Sequence, residues 1–128
     1  MRYLLDTHTL LWWLNGHENL SLSARSIIED RQNVIYISAA SAWEIATKFR
    51  KGKLPSASVL LPDFTNVVAD EGFIDLAITS AHTVRSALLP SDHRDPFDRI
   101  LAAQAIIENL ALISRDEKMP SLGVLTRW

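Results

Sequence analysis

The spacing of hydrophobic and polar residues changes several times along this chain. Short aliphatic or β-branched runs predict strands at Tyr3–Leu5, Val34–Ile37, Phe73–Leu76 and Ala111–Ile113, with Val124–Leu125 as a weaker fifth strand at an edge. Segments of helical period lie between these runs and predict helices at Thr9–Leu14, Ser23–Asp30, Ala39–Arg50, Leu61–Asp70, Ser80–Leu88 and Phe97–Asn109. This alternation is typical of an α/β fold, in which helices flank a mostly parallel sheet of four to five strands.

Length and composition narrow the class of protein. With 128 residues, 48% of them hydrophobic, we expect one domain spanning 1–128 with a sizeable core of its own. The absence of cysteine excludes disulfides, thiolate zinc sites and cysteine nucleophiles, and it fits a reducing compartment. There is no apolar run of about 18 residues and no signal-like N-terminus. We therefore expect a cytoplasmic protein.

Two acidic residues lie just after predicted strands. Asp6 comes after the first strand and Asp116 after the fourth, where ligands bind in parallel α/β sheets. Each has an ordinary structural alternative, because Asp6 could cap the next helix and Asp116 could shape a turn. Together the two acids are more informative, because like charges brought into one partly buried place are costly unless a cation neutralises them.

A third acid lies near the start of the last predicted helix. Asp95 and Pro96 have the pattern of an N-cap followed by a first helical residue, so Asp98 falls at the third position. There it could close a capping box or favour the helix dipole. It also shares its face with Ala102 and Ala105, whose small side chains leave space in front of its carboxylate.

Glu44 is the fourth candidate, on the predicted helix 39–50. The apolar stripe of that helix is predicted to run through Ala39, Ala42, Ile45, Ala46 and Phe49. Glu44 is then expected on the opposite face, where an exposed pair with Lys48 would explain it fully.

Four segments, in this order, resemble the PIN-domain family and, within it, the VapC-type toxins of toxin–antitoxin pairs. They are Leu4–His8, Ser41–Ile45, Asp95–Ala105 and Ser114–Asp116, in which Ser114 stands where the family more often has threonine. The resemblance covers almost the whole chain. It implies a PIN-like three-layer sandwich and a metal-dependent endoribonuclease that cuts single-stranded RNA to leave a 5′-phosphate.

The resemblance also implies roles for individual residues. Asp6, Asp98 and Asp116 would hold Mg²⁺, with Mn²⁺ as a substitute, and Glu44 would bind a second ion or position the attacking water. Carboxylates as ligands suit such hard cations. The hydroxyls of Thr7 and Ser114 would hold the carboxylates in place. Candidate phosphate contacts are the basic residues Lys48, Arg50, Lys51, Arg94, Arg99 and Arg115.

Protein partners are expected as well. The resemblance implies a homodimer and a cognate antitoxin. Trp12, Trp13, Trp43 and Phe49 offer more aromatic surface than two short helices usually need, and such residues anchor protein interfaces. Core packing is the alternative for each of them.

Two other functions compete with a ribonuclease. A phosphoaspartate phosphohydrolase needs Asp-x-Asp after its first strand, but this chain has Asp6-Thr7-His8. A non-catalytic PIN-like module that binds RNA or protein would not need all four acids. The four histidines, His8, His17, His82 and His93, have no zinc-ligand spacing and receive no catalytic role.

Overall fold

A computed structural model describes residues 1–128 and contains one sheet of five parallel strands in the order β3-β2-β1-β4-β5. The strands are β1 (Arg2–Leu5), β2 (Val34–Ser38), β3 (Ile74–Leu76), β4 (Ala111–Ile113) and β5 (Thr126–Arg127). The prediction of an α/β fold around a parallel sheet is confirmed. The strand order reverses beside β1, because β2 and β3 extend the sheet in one direction and β4 and β5 in the other. A crevice for ligands is expected at such a reversal.

Six α-helices cover the sheet: α1 (Thr7–Asn15), α2 (Leu22–Glu29), α3 (Ala39–Arg50), α4 (Phe64–Asp70), α5 (Ser80–Leu88) and α6 (Pro96–Glu108). Short 3₁₀ turns lie at Pro55–Ser58, Leu61–Asp63 and Met119–Leu122. No helix combines the length and the apolar character needed to cross a membrane.

Two hydrophobic clusters lie on the two faces of the sheet. Adjacent residues of β1 enter different clusters, Leu5 with Ile37 and Ile113, and Leu4 with Leu101 and Leu112. Successive side chains of a strand point to opposite faces of the sheet. A strand in which successive residues are all buried must therefore be covered on both faces. The continuous apolar runs that predicted these strands follow from this three-layer arrangement.

Two predicted elements are shifted. The last strand lies at Thr126–Arg127 rather than at Val124–Leu125, although the Leu125 carbonyl still accepts from Leu112 N at 2.8 Å. Val124 is buried in the core beside Leu122 instead of pairing in the sheet. The helix predicted from Leu61 begins at Phe64, because the 3₁₀ turn that contains Pro62 precedes it.

The buried face of α3 differs from the prediction. Glu44 is only 5% exposed, whereas Ala46 and Phe49 of the predicted apolar stripe are exposed. The buried residues are instead Ala40, Ser41, Glu44 and Ile45. The helix packs against α1 and α6 with a face that carries polar groups, as shown by the bond from Thr7 Oγ1 to Ser41 Oγ (3.0 Å). The expected exposed position of Glu44 is therefore wrong.

Candidate metal centre

Asp6 lies at the carboxyl end of β1, at the reversal of strand order. Its Oδ1 caps α1 by accepting from Thr9 N at 2.8 Å, so the structural alternative considered for this residue is real. The Thr9 hydroxyl donates to the Ile113 carbonyl at 3.0 Å and ties the start of α1 to β4. The cap engages one carboxylate oxygen and places the side chain between β1 and β4.

Asp98 is positioned by the start of α6. Asp95 caps this helix by accepting from the backbone N–H groups of Phe97 (2.9 Å) and Asp98 (3.3 Å). The Asp98 side chain is thus not needed as the cap, and its Oδ2 lies 2.8 Å from His93 Nε2. One ligand atom from each of His93, Asp98 and Asp116 lies within 4.8 Å of the other two.

Asp116 connects this group to Asp6. Both carboxylates line a cleft of about 300 Å³, together with His8, Trp12 and Arg115. The Asp116 Oδ1 accepts from Lys118 N at 2.9 Å, which forms the turn expected for this residue. The turn and the reversal of strand order together bring the two acids to the same cleft.

Glu44 approaches from α3. It is buried and pairs with Lys48 Nζ at 2.6 Å, so the predicted partner is right although the predicted exposure is not. The Glu44 charge is close enough to raise the pKa of Asp98. The four acids predicted from sequence are therefore linked through Asp98 and Asp116.

Burial raises the pKa of two of these carboxylates. Desolvation raises the pKa of Asp98 to about 6, with further increases from Asp95 and Glu44 that the His93 hydrogen bond opposes. Desolvation also raises the pKa of Asp6, against hydrogen bonds from Ser114 and Thr9. A cation would favour the charged forms of both groups. Carboxylates with one neighbouring imidazole form a donor set that fits a partly hydrated divalent ion.

One of the two predicted supporting hydroxyls contacts the acids. Ser114 lowers the pKa of Asp6 by hydrogen bonding, and its Oγ accepts from Asp116 N at 3.1 Å. The Thr7 hydroxyl instead bonds to Ser41, so the role assigned to Thr7 is wrong. Sequence reasoning missed Thr9, whose amide donates to Asp6 and whose hydroxyl donates to the Ile113 carbonyl of β4, and it missed the contact of His93 with Asp98. The N-cap pattern at Asp6 already contained the signal for its amide contact.

Arg99 does not have the predicted role of a phosphate contact. Its five N–H donors all bond to backbone carbonyls, those of Ser86, Ala87, Leu89, Ser91 and His93, at 2.8 to 3.3 Å. A guanidinium has no further donors to offer a ligand. Arg99 instead fastens the loop between α5 and α6.

The other basic candidates lie in several places. The Arg115 guanidinium lies over the Trp12 ring, 4.7 Å from its centroid, beside the cleft. Arg94 is exposed in the loop next to His93, and Arg50 and Lys51 are exposed at the end of α3. Lys48 is already paired with Glu44.

The four aromatic candidates have different surroundings. Trp43 is 52% exposed and packs its ring edge-on against Phe97, at 4.6 Å between centroids. Phe49 is also exposed. Trp13 packs on Phe73, and its Nε1 donates to Glu71 at 3.1 Å, so core packing accounts for it.

Trp12 belongs to an aromatic group beside the cleft. It stacks with His8 and His17 and meets Trp128 edge-on. Of the four aromatic candidates, Trp43 and Phe49 are the exposed ones, and the contact of these residues with an antitoxin stays a prediction.

Comparisons with known proteins identify the family of this chain. The family model described as PIN domain matches residues 3–125, and the chain belongs to that family. Ribonuclease VapC22 of Mycobacterium tuberculosis (strain ATCC 25618 / H37Rv) is 28% identical over 119 residues, which cover 92% of this chain and 89% of the relative. Ribonuclease VapC16 of the same strain is 41% identical over 59 residues, 46% of this chain and 42% of the relative.

Solved structures share the fold. The crystal structure of VapBC2 from Rickettsia felis bound to a DNA fragment from their promoter contains a chain with a TM-score of 0.70 at 17% identity, covering 99% of this chain and 98% of that one. FitAcB from Neisseria gonorrhoeae has a TM-score of 0.57 at 20% identity, covering 98% and 96%. These similarities extend the three-layer arrangement to proteins of low sequence identity.

Proposed function

We propose that this chain is a metal-dependent endoribonuclease of the VapC type, which cuts single-stranded RNA and is restrained by a cognate antitoxin. The observation that carries the proposal is the gathering of four acids from separate segments at the reversal of strand order, where two of them resist ionisation. The relatives named ribonucleases support the same activity.

The residues divide the reaction between them. Asp6, Asp98 and Asp116 would hold the Mg²⁺ or Mn²⁺ ion, and Glu44 would orient the attacking water or bind a second ion. When bound, the ion lowers the pKa of a water and neutralises charge that builds on the phosphate. Asp6 is buried and is kept in place by hydrogen bonds from Thr9 and Ser114.

Positive charge near the cleft serves RNA binding. Arg115 lies beside Asp116 and is held over the ring of Trp12, so its guanidinium is placed to meet a phosphate next to the cleavage position. Arg94, Arg50 and Lys51 are exposed and are the further phosphate contacts that we propose. Because the net charge of the chain is −2, this local arrangement and not the overall charge must attract the RNA.

Partners complete the proposal. A cognate antitoxin is part of the proposal, and the fold likeness to a chain of the VapBC2 structure supports it. The exposed aromatic side chains of Trp43 and Phe49 are the contact surface that we propose for it. A homodimer is proposed with it, as the VapC-type resemblance implies.

The test is RNA cleavage by purified chain freed of any partner, in Mg²⁺, with Asp98→Asn compared with Asp70→Asn. Asp70 is an exposed acid at the end of α4 and serves as the matched control for loss of one carboxylate. We expect Asp98→Asn to lower the cleavage rate by about a hundredfold or more, because it removes a charged ligand from the ion. Full activity of a folded Asp98→Asn variant would contradict the assignment.

A further inference from the structure

We propose that His93 supplies a nitrogen ligand to the ion held by Asp98 and Asp116, and that it thereby shifts the metal preference of this chain from Mg²⁺ towards transition-metal ions. The inference rests on the proposed function, because it concerns the same ion. It adds a residue that the four-acid pattern does not contain, from a loop between α5 and α6.

The distance between His93 and Asp98 fits adjacent positions around one ion. In an octahedral site with metal–ligand distances of about 2.1 Å, neighbouring ligand atoms lie about 3 Å apart and opposite ones about 4.2 Å apart. His93 Nε2 and Asp98 Oδ2 are 2.8 Å apart, and no two of the three ligand atoms in the group with Asp116 are separated by more than 4.8 Å. The Asp116 side chain is exposed, so it can move to place its carboxylate on the same ion as the other two groups.

The His93 ring is placed by its backbone. Its N–H donates to Ser91 Oγ at 3.2 Å, and its carbonyl accepts from Arg99 Nη1 at 2.8 Å. The same guanidinium holds the carbonyls on either side of this turn, so the loop is fastened to the first turn of α6, which also carries Asp98. The side chain is 14% exposed and lies between this loop and the acids. A histidine fixed in this way needs little rearrangement to bind metal.

An imidazole ligand changes which divalent ions a site prefers. A site made only of carboxylates and water suits Mg²⁺, whereas an imidazole adds affinity for ions later in the divalent series, such as Co²⁺ and Ni²⁺. If His93 only held Asp98 by a hydrogen bond, losing it would weaken all divalent ions to a similar extent.

The experiment uses Mn²⁺ as a spectroscopic probe on the full chain after chelator treatment. Electron spin-echo modulation detects nitrogen-14 coupled to Mn²⁺, which an imidazole ligand produces and carboxylates do not. We expect the coupling in wild type, its retention in His8→Asn and its loss in His93→Asn. His8 is the matched control, because it lines the neighbouring cleft with Asp6 and Asp116.

Calorimetric titration of Co²⁺ and Mg²⁺ gives a second, independent measure. Co²⁺ affinity should fall by about tenfold or more in His93→Asn, with a smaller loss for Mg²⁺, because removing groups that hold or orient metal ligands typically costs at least that much. If His93→Asn does not fold, His93→Gln takes its place, and loss of the nitrogen coupling in that variant, with its retention in His8→Asn, assigns the coupling to His93.

The outcomes separate this inference from the proposed function. Mn²⁺ binding without nitrogen coupling in wild type, coupling that persists without His93, or equal losses for Co²⁺ and Mg²⁺ would each overturn the role of His93 and leave the acidic site standing. Failure of wild type to bind Mn²⁺ or Mg²⁺ at all would overturn both.

Discussion

Asp6 and Asp98 are acids whose positions admit both a structural and a functional explanation, although only Asp6 is itself a helix cap. Each lies at a helix start, where an acid has an ordinary structural explanation, and each also faces a site in which burial raises its pKa. Sequence reasoning could name the acids because their positions relative to strands and helices follow from local pattern. It could not find His93, because the contact with Asp98 depends on a loop conformation that Arg99 imposes from outside the loop.

The raised pKa of Asp98 predicts how stability depends on pH. The carboxyl ionises near 3.8 in the unfolded chain but near 6 in the folded one, so the folded state binds more protons between these values. Its contribution to stability therefore falls as pH rises from about 4 to about 7, by at most about 3 kcal/mol. With chelator present, the melting temperature of Asp98→Asn should rise relative to wild type over this interval. A constant difference between the two proteins across this range would refute the pKa assignment.

At the scale of elements, the parallel sheet could be predicted and the orientation of α3 could not. Strands buried on both faces leave continuous apolar runs, which are readable from sequence, as β1 and β4 demonstrate. The face of α3 was misjudged because an amphipathic analysis assigns polar residues to solvent, whereas this helix buries Ser41 and Glu44 toward α1 and the acids. The prediction assumed that the buried face of a helix is apolar, and polar residues that face a candidate site break that assumption.

The loop between α5 and α6 provides a prediction at this scale. Arg99→Lys keeps the charge but replaces a planar group that bonds to five carbonyls with a compact ammonium that has three donors. We expect a loss of about 2 kcal/mol or more in the free energy of unfolding, because carbonyls on the partly buried loop lose their donors. Arg31→Lys, at an exposed position, is the matched control. Denaturant unfolding of both variants decides the point, and equal, small losses would show that the loop does not need Arg99.

At the scale of the whole molecule, the strand order places the acids near the carboxyl ends of β1 and β4, and exposed aromatic side chains lie nearby. The reversal of strand order beside β1 brings residues from both ends of the chain together. Local sequence patterns alone do not reveal this closeness, because it depends on the order of the strands in the sheet. Trp43 packs on Phe97, one residue from Asp98, so the exposed ring adjoins the acidic site. A protein that covers Trp43 would also cover the approach to the ion.

This placement predicts a difference between two tryptophans. Trp43→Ala should weaken neutralisation by the antitoxin while changing the melting temperature little, because about half of the side chain is in solvent. Trp13→Ala should destabilise the fold by about 2 kcal/mol or more through lost packing on Phe73 and the bond to Glu71. Thermal melts and inhibition of RNA cleavage by the co-purified partner measure the two effects. Unchanged inhibition of Trp43→Ala would place the partner elsewhere.

The dependence of RNA cleavage on a divalent ion tests the central claim most directly. The chain is freed of partner, stripped with chelator and assayed on single-stranded RNA before and after Mn²⁺ is added back. We predict no cleavage in chelator. After Mn²⁺ is added back, we predict cleavage that saturates as the site formed by Asp6, Asp98 and Asp116 becomes occupied. Cleavage that continues at the same rate in chelator, or its absence at saturating Mn²⁺, would contradict the account.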